Sequence, residues 1–410
     1  MRTTIPLASL PTTPPEAGAP LLKALPPLAL YVHFPWCLRK CPYCDFNSHE
    51  AKGGGTDIPH AAYLAALIGD LEAALPQVWG RRLSSVFIGG GTPSLMPAKM
   101  LDALLAAIRA RLPLIPDAEI TLEANPGAIE AGQFEAFRDA SVNRISLGIQ
   151  SFNNTHLNAL GRIHSADEAR RAIDTALRHF DNVNLDMMYA LPQQTLDEAR
   201  RDIATAAACG TPHLSAYHLT LEPNTAFHHA PPPLPDDDLA ADMQEMIEAT
   251  LAARGFQHYE TSAFAMAGHR CAHNLNYWCF GDYLGIGAGA HGKLSYPDSI
   301  TRETRRRHPR EYLDAAAQGD FVQQRQPVER AELPFEFMMN ALRLNDGIPL
   351  GLFEERTGQS LASIGEPLLL AQRRSLLTID NERLAPTTQG RRFLNDLLAL
   401  FMEAVESREL

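Results

Sequence analysis

The chain has 410 residues, of which 45% are hydrophobic and 20% are charged, and its formal net charge at pH 7 is −12. This length exceeds a single ordinary hydrophobic core and predicts a large domain with a smaller one. The acidic balance argues against nucleic acid as a partner, and no apolar run is long enough to cross a membrane. Six cysteines are too few for a disulfide scaffold in a chain of this length.

The first 27 residues contain seven prolines and show neither helical nor strand periodicity. They also lack the basic start and the apolar core of a signal peptide. We therefore predict a flexible, proline-rich tail over residues 1–27 and a cytoplasmic protein, in which cysteines stay reduced.

Short apolar or β-branched runs then alternate with longer amphipathic runs. Strands are predicted at 28–33, 85–88, 119–122, 144–149, 183–187 and 213–219. Helices are predicted at 59–75, 97–112, 129–139, 166–179, 196–209 and 236–254, and two of them begin with capping boxes, at Ser165 and Thr195. Such alternation indicates an α/β fold with parallel strands. Six units without a dinucleotide-binding fingerprint favour a partial (β/α)6 TIM-like barrel over residues 28–300.

Three cysteines follow the first predicted strand with the spacing C-x3-C-x2-C, at Cys37, Cys41 and Cys44. Their thiolates can converge on one metal centre if the backbone wraps around it as a loop. With a fourth ligand from His33 or His49 they would form a structural zinc site. Alternatively, they bind three irons of a [4Fe–4S] cluster and leave the fourth iron open for chemistry.

Polar or glycine-rich segments follow the other predicted strands, at the edge where barrels of this kind carry their active sites. They comprise the segments 89–94, 123–126 and 150–153, followed by Arg162, Asp186, Tyr217, His218 and Thr220. A closed structural zinc site would not need these groups, so they favour the cluster.

The motifs YVHFPWC at 31–37, CPYC at 41–44 and GGGTPS at 89–94 resemble those of the radical S-adenosylmethionine (SAM) superfamily. Within it, the chain resembles the oxygen-independent coproporphyrinogen III oxidase branch from about Tyr31 to its end. In this superfamily the amino and carboxylate groups of SAM chelate the open iron, and one electron cleaves SAM to a 5′-deoxyadenosyl radical. The resemblance implies a [4Fe–4S] cluster on Cys37, Cys41 and Cys44, with SAM beside it.

The resemblance also assigns three groups of residues to SAM. Positions near the cluster-bound SAM match Tyr31, Gly90 and Glu123. Positions around a second SAM in the oxidases match Gln150, Arg162 and Asp186. Aligned more loosely with that second molecule are Tyr43, Gly91, Thr92, Thr220 and His291. Without the resemblance, Glu123 could equally form a salt bridge at the barrel rim, and the glycine run could be a tight turn.

Two departures separate the chain from the oxidases. They carry a further cysteine two positions after the third cluster cysteine, where this chain has Phe46, and they have a longer N-terminal region. The sequence CPYCDFNSH resembles instead the HemW subfamily, which is regarded as a group of heme chaperones that bind heme and pass it to apoproteins. The resemblance implies heme as a ligand, and acceptor apo-hemoproteins and an electron donor as partners.

A second block agrees with this subfamily, because Cys271, His273, Tyr277 and Trp278 lie in the sequence CAHNLNYW, and H-N-x-x-Y-W is typical of it. Imidazole can ligate heme iron, and aromatic rings can stack on a porphyrin. His273 is therefore the predicted heme ligand, with Cys271 as an alternative. The competing interpretation is that His273, Tyr277 and Trp278 only pack at the barrel mouth.

Residues 301–410 are predicted to form a smaller, mostly helical, winged-helix-like domain. Helices are predicted at 331–342, 351–357 and 387–402, and a strand pair at 376–379 and 383–385. Five arginines between residues 302 and 310 suit carboxylates such as heme propionates, or the anionic face of a membrane, although each one alone is most simply a solvated side chain. A peripheral membrane contact and a homodimer stay open.

Three functions remain in view: a heme chaperone, an oxygen-independent coproporphyrinogen III oxidase that converts propionates to vinyl groups, and another radical SAM enzyme. The missing cysteine, the short N-terminal region and the H-N-x-x-Y-W block favour the first. We therefore expect heme transfer ahead of catalysis, and we predict no catalytic residue.

Overall fold

A computed structural model of the chain describes residues 22–127 and 132–406. Most of the predicted tail lies outside these residues, but its last part is bound to the protein. Leu22 is buried, and its N–H donates to the Pro297 carbonyl at 3.2 Å. The Pro27 carbonyl accepts from the Asp282 N–H at 2.9 Å. Residues 22–27 are therefore tied to the neighbouring strand and are not part of a free tail.

The strands in chain order are β1 Leu28–Phe34, β2 Trp36–Cys37, β3 His49–Glu50, β4 Leu83–Gly90, β5 Leu114–Ala124, β6 Arg144–Gln150, β7 Asn182–Tyr189, β8 His213–His218, β9 Gln257–Glu260, β10 Ala263–Ala265, β11 Asp282–Ile286, β12 His291–Ser295, β13 Ile300–Arg305, β14 Val322–Pro327, β15 Ile348–Pro349, β16 Leu377–Ile379 and β17 Arg383–Pro386.

One 12-stranded sheet dominates, in the order β14-β13-β12-β11-β1-β4-β5-β6-β7-β8-β10-β9. Its seven central strands, from β11 to β8, pair in parallel, and the flanking strands pair in antiparallel fashion. The six strands predicted from the sequence are β1, β4, β5, β6, β7 and β8, and they lie side by side in chain order. Over the described part of the chain β14 and β9 end the sheet, so this is an open, mostly parallel α/β architecture, as predicted.

The helices are His60–Ala74, Ala98–Arg111, Phe134–Asp139, Asn154–Ala159, Ala166–His179, Leu196–Ala208, Ala226–His229, Asp237–Ala252, Ala272–Trp278, Pro309–Ala316, Leu333–Ala341, Gly351–Thr357, Gly365–Arg373, Thr388–Arg392 and Leu394–Glu406. Both predicted capping boxes form, at Ser165 and Thr195. Residues 129–131 of the helix predicted at 129–139 lie outside the described residues. Among the described helices, none is both long enough and apolar enough to cross a bilayer.

The two faces of the parallel strands differ in character. Ile145 and Leu185 belong to the main hydrophobic core, where they pack with helix residues such as Ile173. Their chain neighbours Ser146 and Asp186 line a cavity on the opposite face. Because successive strand side chains point to opposite faces, the outer face of the sheet carries the helices and the inner face carries the polar site.

The C-terminal unit has its own hydrophobic core, which includes Phe337, Phe353 and Leu368 from three helices. Phe280 and Ile300 belong to the same core although they precede this unit in the chain. In chain order this unit contains a helix, a strand, two helices and the hairpin β16–β17. This order agrees with the winged-helix-like arrangement predicted for a mostly helical unit.

The large sheet continues beyond the predicted domain boundary at residue 300. β13 pairs with β12 and β14, and the helix Pro309–Ala316 packs on the helix His60–Ala74. We therefore place the boundary after Pro327. The terminal helix predicted at 387–402 is two helices, separated at Phe393.

Candidate functional site

The three cysteines lie on a loop at the C-terminal end of β1. Trp36 and Cys37 form β2, which pairs with β3 and closes the loop. Inside the loop, the Cys44 N–H donates to the Cys41 carbonyl at 3.1 Å. Cys37 is 8% exposed, Cys41 and Cys44 are half-buried, and all three are free thiols. They line one cavity of about 480 Å³, so the loop presents three sulfur atoms to a common space.

Burial raises the pKa of the Cys37 thiol to about 11 and also raises the pKa of the Cys44 thiol. The Ser48 hydroxyl, 3.6 Å from Cys44 Sγ, opposes the shift at both residues. These thiols therefore stay protonated at neutral pH, and a bound metal would release their protons. The Arg162 guanidinium lies 3.7 Å from Cys41 Sγ. A set of three sulfurs with a cation beside it fits an iron–sulfur cluster.

The zinc interpretation lacks a fourth ligand. Across the described residues, no three or more His, Cys, Asp or Glu side chains are grouped to hold a metal ion. His33 Nδ1 lies 2.9 Å from the Tyr31 hydroxyl, and its Nε2 lies 2.9 Å from the Asn47 carbonyl. His49 Nε2 lies 3.3 Å from the Asn47 side-chain oxygen. Both histidines therefore contact Asn47, whereas cluster thiolates bind different irons and need no common point of convergence.

The glycine run after β4 packs directly on the cysteine loop. The Gly91 N–H donates to the Phe34 carbonyl, and the Thr92 N–H donates to the Trp36 carbonyl, each at 2.7 Å. A Cβ atom on Gly91 would lie 2.5 Å from the Trp36 carbonyl oxygen, and Gly90 has a φ of +120°. Both glycines are therefore needed where the backbone passes the loop.

Glu123 closes this part of the cavity. Its Oε2 accepts from the Gly90 N–H at 3.1 Å. Burial, helped by repulsion from Asp186, raises the pKa of Glu123 to about 8, against the opposing effects of the Gly90 N–H and Arg144. The carboxyl is therefore mostly protonated at pH 7, and a cationic group placed beside it would favour its ionised form.

The other residues predicted for SAM largely share this cavity, which is lined by Tyr43, Gly90, Gly91, Thr92, Glu123, Gln150, Arg162, Asp186 and Thr220. Arg162 donates to the Asn125 side-chain oxygen at 2.6 Å and to the Gly148 carbonyl at 2.7 Å. Asp186 accepts from the Ser146 hydroxyl at 2.8 Å, and its burial raises its pKa. Tyr31 and His291 lie elsewhere, on a second cavity.

Sequence reasoning missed the cavity residues Arg144, Ser146 and Asn184, whereas Asn125 lies in the predicted polar segment 123–126. Asn125 donates to the Thr92 hydroxyl at 2.9 Å. Arg144 is buried, 3.9 Å from Glu119, and its Nε has no hydrogen-bond partner among the described residues. The polar residue at every second position of β6 was the available signal for Arg144 and Ser146.

The predicted heme block forms the helix Ala272–Trp278, whose start is held by Glu119. That carboxylate accepts from the N–H groups of Ala272 and His273 at 3.0 Å each. Cys271 is fully buried, and its thiol lies 3.4 Å from the same carboxylate. The thiol therefore has no open side from which to bind heme iron.

His273 is 1% exposed, and both of its ring nitrogens are engaged. Nδ1 lies 2.9 Å from the Ser85 hydroxyl, and Nε2 lies 2.9 Å from the Tyr277 hydroxyl. The ring stacks on Phe87 with 4.9 Å between centroids, and burial lowers its pKa to about 3. The structure does not support the predicted ligation of heme by His273, and it favours the competing packing interpretation for this residue.

A second cavity of about 490 Å³ adjoins the first, and the two share Asp45, Phe46, Gly90 and Glu123. Its aromatic residues are Tyr31, Phe46, Tyr277, Trp278 and Tyr283. Among its polar residues are His33, Asn47, His291, Arg307 and Asn340. Tyr277 and Trp278, which were predicted for heme, therefore line an open space even though His273 does not.

Comparison with known proteins gives two family matches. Residues 31–206 match the family described as Radical SAM superfamily, and residues 328–393 match the HemN C-terminal domain.

Among curated proteins, the chain is 49% identical over 383 residues to heme chaperone HemW of Escherichia coli (strain K12), covering 92% of this chain and 99% of that protein. It is 46% identical over 384 residues to heme chaperone HemW of Haemophilus influenzae, covering 92% of this chain and 98% of that protein. It is 34% identical over 393 residues to the bovine protein named radical S-adenosyl methionine domain-containing protein 1, mitochondrial. This match covers 92% of this chain and 88% of that protein.

Among solved structures, coproporphyrinogen III oxidase (HemN) from Escherichia coli, described as a radical SAM enzyme, matches with a TM-score of 0.77. The match covers 92% of this chain and 90% of that one at 22% sequence identity. It therefore demonstrates a shared fold.

Proposed function

Since the chain belongs to the HemW family of the radical SAM superfamily, we propose that it is a heme chaperone, which binds heme and delivers it to acceptor hemoproteins. The observation that carries the proposal is the 49% identity to Escherichia coli heme chaperone HemW along 99% of that protein. The joined cavities support it, because one presents three thiols and the other presents aromatic rings.

We infer that Cys37, Cys41 and Cys44 would hold a [4Fe–4S] cluster and that SAM would bind beside it in the same cavity. Bound together, cluster and SAM supply the radical chemistry of this superfamily. Arg162 offsets the negative charge of the thiolates from its position beside Cys41. Glu123 lines the same cavity, where its carboxylate would accept hydrogen bonds from the amino group or the ribose hydroxyls of SAM.

The alternative function is oxidative decarboxylation of coproporphyrinogen III, which the fold alone would allow. Phe46 argues against it, because this residue occupies the place of the further cysteine of the oxidases. Its side chain is 58% exposed at the junction of the two cavities. An aromatic ring at this position suits contact with a flat apolar ligand and supplies no thiol.

The remaining parts of the proposal concern location and partners. All six cysteines are free, which suits a reducing compartment such as the cytoplasm. Acceptor apo-hemoproteins follow from the proposed activity. An electron donor, a peripheral membrane contact and a homodimer stay predictions from the sequence.

The test uses full-length protein whose cluster has been reconstituted without oxygen. Wild type and a Cys37→Ala, Cys41→Ala, Cys44→Ala variant are titrated with heme in a visible spectrometer, and both are incubated with SAM, reductant and coproporphyrinogen III. We expect wild type to retain heme, the triple variant to lose the cluster absorption, and neither protein to form protoporphyrinogen. Protoporphyrinogen formed by wild type would establish the oxidase instead, and failure to retain heme would refute the chaperone.

A further inference from the structure

We propose that the second cavity is the heme pocket and that His291 is the ligand of the heme iron. The inference rests on the proposed function, since it places the cargo of the chaperone. Three features of this cavity carry it: a histidine with free ring nitrogens, a wall of aromatic rings, and an arginine at the cavity surface.

His291 is presented by rigid backbone. It is the first residue of β12, where it pairs with Thr304 of β13. Its carbonyl oxygen packs so closely on Gly285 of β11 that a Cβ atom there would lie 2.0 Å away. The imidazole is nevertheless exposed and lines the cavity, and within the described residues its ring has no hydrogen-bond partner. A fixed backbone with a free imidazole is what an iron ligand requires.

Two other histidines near the cavity, His33 and His273, are unsuited to this role. His33 lines the cavity, but Tyr31 and Asn47 occupy both of its nitrogens. His273 is occupied in the same way. Partial desolvation at the cavity wall and the nearby cations Arg307 and Arg302 lower the pKa of His291, which keeps its imidazole neutral at pH 7 and its lone pair available to iron.

The aromatic wall is held in place from behind. Tyr277 and Tyr283 meet edge to face, with 4.6 Å between centroids and 87° between planes. His273 binds the Tyr277 hydroxyl, and Arg302 donates to the Tyr283 hydroxyl at 2.7 Å. The Arg343 guanidinium lies 4.3 Å above the Trp278 ring. His273 is therefore a positioning residue, which fixes an aromatic surface suited to a flat macrocycle.

The arginine-rich stretch contributes Arg307. Arg302, Arg305 and Arg306 already bind Glu336, Asp70 and Asp320, respectively. Arg307 is exposed and lines the cavity, and its guanidinium has no acceptor among the residues that the structure describes. A guanidinium beside an aromatic pocket matches the propionate groups of heme.

The main test compares heme binding by wild type, His291→Ala and His229→Ala in reconstituted full-length protein. His229 is an exposed histidine that lines neither described cavity, so it controls for adventitious ligation. We expect the affinity of His291→Ala for heme to fall at least about tenfold, which corresponds to a loss of about 1.4 kcal/mol in binding free energy. Its visible spectrum should change in the bands that report axial ligation, and added imidazole should restore them. His229→Ala should match wild type.

The two proposals fail in different ways. If wild type binds heme while His291→Ala keeps the same affinity and spectrum, the pocket is overturned and the chaperone function stands. If wild type itself binds no heme, the proposed function is refuted. A weaker affinity without a spectral change and without rescue by imidazole would also contradict ligation by His291.

Arg307 is tested with a second probe, heme dimethyl ester, whose propionates carry no charge. Arg307→Ala should weaken the binding of heme about fivefold, as expected for an exposed ion pair, and should leave the binding of the dimethyl ester at the wild-type value. Equal losses with both ligands would contradict pairing between Arg307 and a propionate.

Discussion

Glu123 lines both cavities, so its charge state affects the proposed SAM site and the proposed heme pocket together. Burial and repulsion from Asp186 raise its pKa to about 8. In the free protein the carboxyl therefore carries a proton at pH 7. A positively charged ligand, such as the sulfonium of SAM, favours loss of this proton, because only the carboxylate balances that charge and it also accepts hydrogen bonds from an amino group or from ribose hydroxyls.

The affinity for SAM is therefore expected to rise with pH between about pH 6 and pH 8. Below a pKa of about 8 binding releases a proton, so the affinity changes by up to about tenfold per pH unit, and above that pKa the dependence ends. Calorimetry in buffers with different ionisation enthalpies measures the released proton. Glu123→Gln should bind SAM more weakly and without the pH dependence, whereas a flat wild-type profile would contradict the assignment.

His273 is expected to matter for stability more than for heme ligation. His273→Ala leaves the buried Ser85 hydroxyl and the half-buried Tyr277 hydroxyl without their partner and removes the stack on Phe87, at a cost of about 2–4 kcal/mol in the free energy of unfolding. Urea denaturation measures the loss, with His229→Ala as a surface control. The spectral type of bound heme should be that of wild type. An unchanged stability with a changed heme spectrum would restore His273 as the ligand.

At the scale of elements, a buried ion pair joins the helix His60–Ala74 to β13. Arg305 Nε donates to Asp70 Oδ1 at 2.8 Å, and both side chains are 1% exposed. The second Asp70 oxygen accepts from the Gly287 N–H at 3.1 Å and from the Tyr312 hydroxyl at 2.9 Å. The pair therefore holds β13 against the helix His60–Ala74. It also holds the turn that leads into β12, and His291 is the first residue of β12.

Breaking this pair should be costly. Asp70→Asn leaves the Arg305 cation buried with Glu303 as its remaining acidic partner, which predicts a loss of about 3–5 kcal/mol in the free energy of unfolding. Asp320→Asn is the matched control, because it removes the partner of Arg306 from a largely exposed pair, worth about 0–1 kcal/mol. Equal losses in the two variants, measured by urea denaturation, would contradict the structural role of Asp70.

The contact between the glycine run and the cysteine loop makes a separate prediction. In Gly91→Ala the new methyl group must displace the Trp36 backbone, one residue before Cys37, so reconstituted protein should hold less iron and sulfide than wild type. Gly365→Ala is the control, since a Cβ atom there meets nothing within 4 Å among the described residues. Full iron and sulfide content in Gly91→Ala would show that the loop tolerates the shift.

At the scale of the whole molecule, the parallel strands were predictable because their apolar runs alternate with amphipathic helices. The cysteines, the glycine run and Glu123 were predictable because they follow those strands. The strands β12, β13 and β14 were not, since polar sequences such as ITRETR in β13 lack an apolar strand signal. Because these strands were not predicted, the domain boundary was predicted at residue 300, whereas the sheet extends to Pro327.

Within the predicted heme block, the burial of His273 argues against this residue as the heme ligand, and the sequence does not reveal that burial. The sequence around a histidine with aromatic neighbours does not show whether its ring nitrogens are free or hydrogen-bonded. Here the Ser85 hydroxyl, on a strand far away in the sequence, is hydrogen-bonded to one ring nitrogen of His273. His291 was visible in the sequence only as a loose match to a second SAM, because the strands that bring it beside Tyr277 and Arg307 were not predicted.

Heme transfer tests the chaperone account most directly. The reconstituted full-length protein is loaded with heme, freed of excess heme, and mixed without oxygen with apomyoglobin as a model acceptor in the presence of SAM. The account predicts that the heme absorption of the chain falls as that of the acceptor rises, and that His291→Ala, which takes up little heme, delivers little. Heme that stays on the wild-type chain would contradict the chaperone account. Equal delivery by His291→Ala under the same loading would contradict only the assignment of His291 as the heme ligand.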